Sequence, residues 1–473
     1  MMMGYIYING EKITCEEQIV VTNPATNEAI ATVPNGGDKE AKAAADAAFA
    51  ALPLWSKKTA GERAVLLRKW FELINEHKEE LAKTMTLEQG KPYKEALGEI
   101  AYANSFVEWY AEEGKRIYGD TIPASDPNKR IIVLKQPVGV IAAITPWNFP
   151  AAMITRKIAP ALAAGCTTLI KPAKQTPLTA IKLVELAYEA GIDRGAINIV
   201  TGDAAEISRA WMKDERVRKV SFTGSTEIGK QLMKESADTM KKISLELGGH
   251  APFIVMEDAN IEEAVEAVVQ SKFRNAGQTC ICTNRIFVQE TVYEAFSEKM
   301  VEAVSQLKVG NGLEDGVTVG PLIDEQAVRK VREHVEDAVK NGGMLLTDSA
   351  IMQDGLFVKP IIIGNAHDEM LCMTEETFGP LAPIATFKTK EEAIARANNT
   401  PYGLAAYVYT QNITDAVAIA EELQYGIVGL NDGLPSVAQA PFGGMKESGI
   451  GREGGKYGIE EYLEVKYVSL KWR

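Results

Sequence analysis

Histidine is nearly absent from this chain, at 4 of 473 residues, and cysteine is scarce, at 5. An odd, sparse cysteine count without a secretory leader argues against a disulfide framework and for reduced thiols. So few soft ligands leave no cluster with the spacing of a metal centre, and no metal is expected. Basic residues are outnumbered, 51 against 64 acidic ones for a net charge of −13. That balance excludes nucleic acid and anionic membranes as main partners, because both reward clustered Lys and Arg. The opening "MMMGYIYINGEK" has no basic stretch leading into an apolar one, and the most apolar long run, Pro137 to Ile154, is broken by Pro146, Trp147, Asn148 and Pro150. Neither a secretory leader nor a membrane-spanning helix is expected, and the cytoplasm is the expected location. Also missing is a G-x-G-x-x-G after the first strand of the alternating region, so the usual dinucleotide fingerprint is not there.

What is present is an α/β pattern too long for one hydrophobic core, which predicts two or three domains. Residues 38–116 carry apolar residues at helical spacing. From "VGVIAAIT" (138–145) to Gly249, short β-rich runs alternate with helical segments, which predicts βαβ units and a parallel sheet. Ligands of such sheets bind beyond the strands' C-terminal ends, and Asn148, Lys171, Gly202, Gly224 and Glu246 fall on that rim. A second alternating region spans about 250–445, and two strands, at 129–136 and in the C-terminal tail, belong to neither. Such strands pair with each other or with a neighbouring subunit.

The residues able to do chemistry are few. Cys280 in "NAGQTC" becomes a nucleophile only where its thiol is activated; otherwise it is a small buried hydrophobe. Glu246 in "SLELGG" reads either as a general base acting on water or as a solvated strand-end acid. Asn148 in "TPWNFP" reads either as an oxyanion donor or as a turn residue. In "FTGSTEIG", Gly224 and Gly229 flank a strand-to-helix turn whose free N–H groups suit a phosphate, or form a plain turn. A cysteine hydrolase or acyltransferase needs an imidazole beside the thiol, and of the four histidines only His250 lies near the rim.

Taken together, "TPWNFP", "LIKPA", "FTGSTEIG", "LELGGH", "NAGQTC", "EETFGP" and "PFGGMKESGIGRE" resemble, in order and spacing, the aldehyde dehydrogenase superfamily from about Val21 to the C-terminus. The resemblance implies a Rossmann-type cofactor domain (1–117 and 139–247), a second α/β catalytic domain (248–445) and a small β oligomerisation arm (118–138 and 446–473), assembled as a homodimer or homotetramer. It implies Cys280 as nucleophile, Asn148 and the Cys280 N–H as oxyanion donors, and Glu246 as the base that activates water against a thioester. A CoA-acylating relative would not need that base. The resemblance further places Trp147, Ser225, Gly224 and Gly229 at the cofactor phosphates, Glu376 and Phe378 at the nicotinamide end, and Lys171 on the adenosine ribose. NAD-preferring relatives often carry glutamate where this chain has Lys174. A cation there favours a 2′-phosphate, so NADP is the expected cofactor, with NAD the alternative.

Within the superfamily the likeness is greatest to the branch acting on succinate semialdehyde. Arg156 and Arg274 stand where relatives for uncharged aldehydes carry aromatics, and Ser436 aligns with a third substrate contact. Two guanidiniums near the nucleophile call for an anionic semialdehyde, because Arg grips a carboxylate with parallel donors. Glutarate semialdehyde is the competing substrate, since one methylene is worth only ~0.8 kcal/mol. The resemblance also implies a loop on which a reversible Cys280–Cys282 bond blocks catalysis; the alternative is that Cys282 merely packs.

Overall fold

The computed structural model describes residues 2–347 and 353–472. The helical first part of the chain ends in α1 (Tyr93–Glu113), and the predicted alternation follows: β1 (Val140–Ile144), α2 (Ala152–Ala164), β2 (Thr167–Lys171), β3 (Ile197–Ile199), β4 (Val217–Thr223), α3 (Thr226–Ser236) and β5 (Lys242–Glu246). β1 and β2 are buried at every position, as strands covered on both faces must be.

These five strands are parallel in the order β5-β4-β1-β2-β3. The chain grows outward from β1 to β3, then crosses back to β4 and β5, so the strand order reverses between β1 and β4. Loops leaving neighbouring strands in opposite directions open a crevice at that point. Pro146–Asn148 follow β1 and Gly224–Ser225 follow β4, so both segments line it. The sheet is extended antiparallel on both sides, by Ile6–Ile8 and then Glu11–Ile13 beyond β3 and by Gly449–Ile450 against β5. Gly449–Ile450, expected within the arm, thus pairs with the sheet that carries Glu246.

The second sheet follows from β6 (Ala251–Val255), α4 (Ile261–Phe273), β7 (Thr283–Gln289), β8 (Ile361–Gly364), β9 (Leu381–Phe387), β10 (Ala405–Tyr409) and β11 (Ile427–Leu430). These six strands are parallel in the order β8-β9-β7-β6-β10-β11, and Met344–Leu345 adds an antiparallel edge to β8. Phe253 of β6 stacks on Tyr407 and Tyr409 of β10 at ring separations of 5.7 and 4.9 Å, fastening the centre of this core. The two strands outside the main sheets pair with each other: Lys129–Pro137 runs antiparallel to Leu463–Lys471, with Asp120–Ile122 alongside. Among the described residues no helix is long and apolar enough to cross a membrane.

Candidate active site

The loop carrying Cys280 is built on an unusual backbone. After α4 ends, Asn275, Ala276 and Gly277 take φ of 52°, 54° and 76°. Asparagine and glycine tolerate the left-handed region, whereas for Ala276 it costs roughly 1–2 kcal/mol. Hydrogen bonds to Asn275 hold the turn. Its N–H donates to Glu95 Oε2 (2.8 Å), its Oδ1 accepts from Gln89 Nε2 (2.9 Å), and its Nδ2 donates to Asn148 O (3.0 Å). The same bonds tie the cysteine loop to the segment after β1. Gly249 completes the fit, since a Cβ there would lie 2.3 Å from the Cys280 carbonyl oxygen.

Cys280 lies where two cavities meet. The first, about 300 Å³, is lined by Tyr102, Phe149, Arg156, Arg274, Ser436 and Phe442 among others. The second, about 250 Å³, lies in the crevice between β1 and β4 and is lined by Trp147, Asn148, Ser225, Leu247, Glu376 and Phe378 among others. Burial pushes the Cys280 thiol up to about 12, with the Arg156 guanidinium opposing. Yet the residue is only half-buried by surface area, because it opens onto both cavities, so water and a carbonyl reach its sulfur.

Asn148 donates from Nδ2 to Gln278 O at 3.0 Å, which fixes the amide's orientation and leaves one N–H for the second cavity. Among the described residues the Cys280 N–H has no acceptor, so two donors remain on the Cys280 side of that cavity. The backbone behind Asn148 is pinned by a buried pair that sequence reasoning missed. Lys91 Nζ donates to Asn148 O (2.8 Å) and pairs with Glu99 (2.5 Å), while Glu99 Oε1 accepts from Ala151 N (2.9 Å) and Ala152 N (3.2 Å). The available signal was an acid on the buried face of α1.

Glu246, at the end of β5, lines neither cavity, although the next two residues line the second. Both its oxygens are buried and, among the described residues, without a hydrogen-bond partner. Burial holds its carboxyl well above the usual range, and the neighbouring Glu453 adds to the rise. Glu453, another residue the sequence reading missed, behaves oppositely: burial pushes it up, but Lys157 and Arg156 outweigh burial and keep it below the usual range. Lys157 bonds Glu453 and also Thr223 Oγ (2.7 Å), while Arg156 Nε lies 2.7 Å from Glu453 Oε2 without hydrogen-bond alignment. Burial and a like charge thus raise one of two neighbouring carboxyls, while Lys157 and Arg156 lower the other.

Both predicted arginines reach the first cavity. Arg156 lies over the Phe442 ring at 3.8 Å with its Nη2 buried and unpartnered, and Arg274 lies over Phe149 at 5.4 Å with Nε in the same condition, among the described residues. Ser436 Oγ and Tyr102 Oη are 2.5 Å apart on the same wall. Glu95 also lines this cavity; burial pushes it up to about 7, with the Asn275 N–H, Lys91 and Arg274 opposing.

On the other side, Ser225 caps α3, its Oγ accepting from Ile228 N at 3.4 Å, so a helix N-terminus faces the second cavity. Trp147 meets Phe378 edge to face at 5.7 Å, and Phe378 itself holds a left-handed φ of 53°, a strain of the kind found where backbone serves a site. Glu376 accepts from Gly249 N (3.1 Å), and burial pushes it up to about 7. Gly229 has a packing reason: a Cβ there would meet Leu247 at 2.4 Å. Lys171 and Lys174 lie outside this cavity. Lys171 donates to Pro172 O (2.8 Å), and burial pulls it down to about 8, with Asp203 opposing. Lys174 is exposed beside a separate pocket of about 220 Å³.

His250 packs edge-on against Tyr402 at 6.3 Å and lines neither cavity, so the described residues contain no thiol–imidazole pair at Cys280. That removes the basis for the hydrolase alternative. Cys280 and Cys282 are free thiols; Cys282 donates to Gly277 O (3.3 Å) and lies 3.7 Å from Lys272 Nζ, itself bonded to Asn284 Oδ1 (3.0 Å). No group of three or more His, Cys, Asp or Glu among the described residues is arranged to hold a metal ion.

The chain is similar to known proteins along nearly all of its length. A sequence profile described as the aldehyde dehydrogenase family matches residues 11–468. A glutarate-semialdehyde dehydrogenase of Pseudomonas putida is 57% identical over 98% of this chain and 97% of its own length. A succinate-semialdehyde dehydrogenase (NADP+) of Escherichia coli is 56% identical over the same shares, 98% and 97%. A crystal structure of an aldehyde dehydrogenase from Brucella melitensis biovar abortus superposes with a TM-score of 0.98 at 55% identity, covering 99% of this chain and 98% of that one.

Proposed function

The chain belongs to the aldehyde dehydrogenase family, and from that premise we propose that it oxidises a semialdehyde bearing a terminal carboxylate, succinate semialdehyde or its five-carbon homologue, with NADP preferred over NAD. The observation that carries the reading is one thiol shared by two cavities, one of which holds two arginines with buried, unpartnered guanidinium nitrogens.

The second cavity has the donor set a nicotinamide dinucleotide requires: a helix N-terminus for phosphate, an aromatic pair and a carboxylate for ring and ribose. Bound there, such a cofactor supplies the hydride acceptor. Arg274, Arg156 and Ser436 take the substrate carboxylate and aim its aldehyde at Cys280. Cys280 gives up its thiol proton to solvent through the cavities it opens onto as its sulfur adds to the carbonyl, and the oxygen that gains charge is met by Asn148 Nδ2 and the Cys280 N–H. Oxidation leaves a thioester on Cys280. Glu246, unrestrained by any hydrogen bond among the described residues, turns to take a proton from water, and the hydroxide so formed cleaves the thioester to release the dicarboxylate. Lys174, exposed just beyond β2, supports the preference for a 2′-phosphate. The exposed Val465, Tyr467 and Leu470 of the arm strand support a homo-oligomeric assembly.

Ultraviolet absorbance of the reduced nucleotide tests the reading, with succinate semialdehyde, glutarate semialdehyde and acetaldehyde each offered with NADP and NAD. The carboxylated substrates are expected to exceed acetaldehyde in kcat/KM by roughly 10- to 150-fold, the equivalent of one charge-assisted hydrogen bond. Equal kcat/KM for all three would sink it.

A further inference from the structure

Gly98 lies in the interior of α1, where glycine is the least favourable residue after proline. A glycine in such a place ordinarily serves a left-handed backbone or a close neighbour. Among the described glycines, Gly98, Gly316, Gly342 and Gly355 are the ones for which a Cβ would meet nothing within 4 Å. The last three have positive φ, between 59° and 96°, and Gly98 does not. Neither backbone nor packing therefore accounts for it. Gly249 and Gly229 are the contrast, each with an atom within 2.4 Å of the Cβ it lacks.

What Gly98 does border is the first cavity. With Glu95, Glu99 and Tyr102 it forms the face of α1 that lines that space, at the three- and four-residue spacing of one helical stripe. Glu99 is buried while Gly98 is exposed, so the wall at Gly98 is the part that reaches solvent. We propose that the missing side chain at position 98 keeps the outer end of the substrate cavity wide, admitting semialdehydes with chains longer than four carbons or with substituents to Cys280. The inference rests on the first cavity being the substrate site. Gly98 is then a specificity determinant: any side chain there projects into open space along the route to the thiol, and the loss grows with both its volume and the length of the substrate.

The test is a Gly98→Ala and Gly98→Leu series, read as the ratio of kcat/KM for glutarate semialdehyde to that for succinate semialdehyde, together with the thermal midpoint. Alanine should raise the midpoint by about 1–2 °C, since nothing opposes its Cβ, while lowering the ratio. Leucine should lower the ratio further, by at least about tenfold, the discrimination a cavity wall exerts on one methylene. Folded variants whose ratio equals the wild type's would overturn the proposal, and the alanine variant decides alone if leucine prevents folding. Neutral straight-chain aldehydes of increasing length are run in parallel. If the wild type oxidises only those, the carboxylate reading fails, and the fall of kcat/KM with chain length in the variants still judges Gly98.

Discussion

Removing the Arg274 guanidinium tests the carboxylate clamp most directly. Arg274→Ala deletes a side chain that lines the cavity beside Cys280 with its Nε buried and unpartnered among the described residues. Arg156 is a poorer probe, because its charge also compensates buried Glu453 at 2.7 Å, and its loss would leave that carboxylate to Lys157 alone. A hydrogen bond to a charged group contributes about 1.5–3 kcal/mol, which converts to roughly a 10- to 150-fold rise in KM for succinate semialdehyde. kcat should fall less, since Arg274 touches neither the thiol's oxyanion donors nor Glu246. For acetaldehyde, which has no carboxylate, kcat/KM should stay within about twofold, apart from the lost contact with Phe149, a cation–π interaction of ~0.5–1 kcal/mol. The assay is initial-rate kinetics on both aldehydes with saturating nucleotide, backed by the inhibition constant of the dicarboxylate product. An unchanged KM for succinate semialdehyde with an unchanged product inhibition constant would refute the clamp. An equal loss on both aldehydes would assign Arg274 to holding the cysteine loop instead.

Three further outcomes follow from the geometry. Lys174→Glu should lower kcat/KM for NADP relative to NAD by about tenfold or more, because an acid repels a 2′-phosphate and accepts from a 2′-hydroxyl; an unchanged ratio in initial-rate assays would contradict the cofactor preference. The proposed base Glu246 would act in its ionised form, and its carboxyl is held well above the usual range, so the ionised fraction and the deacylation rate should climb with rising pH where an ordinary glutamate is already fully charged. Glu246→Gln should abolish that alkaline climb and give a stoichiometric burst of reduced nucleotide followed by turnover slowed by ~10²–10⁴; a wild-type pH profile without a burst would remove Glu246 as the base. Gly249→Ala places a Cβ 2.3 Å from the Cys280 oxygen, and the loop shift it forces should lower kcat by about 10²-fold, since small misplacements of reacting groups have effects of that size; iodoacetamide labelling of Cys280 together with kcat would expose a loop that had not moved.

Much of the architecture was legible in the pattern of residues. Strands such as "VIAAI" read as continuous apolar runs because parallel strands are covered on both faces, and the strand–helix alternation implied both sheets and the rim on which Asn148 and Glu246 lie. Other features were not legible. Gly449–Ile450 joins the edge of β5, and Gly229 leaves no room for a Cβ against Leu247. Each is settled by a neighbour distant in the chain.

The sequence by itself determined the period of most elements, singled out Cys280, Asn148 and Glu246 by motif, and set Arg156 and Arg274 in the segments that carry them. The tertiary structure decided how those charges are held. Lys157 meets Glu453 across 296 positions, and that pair keeps one buried carboxyl charged while its neighbour Glu246 is pushed upward. Asn275 can lead three residues into the left-handed region only because Gln89, Glu95 and Asn148 grip it from other elements. Local propensity acts through a residue's own backbone and is therefore written along the chain. Burial, charge compensation and the junction of two cavities at Cys280 depend on which distant groups are brought within a few ångströms, and only the folded chain determines that.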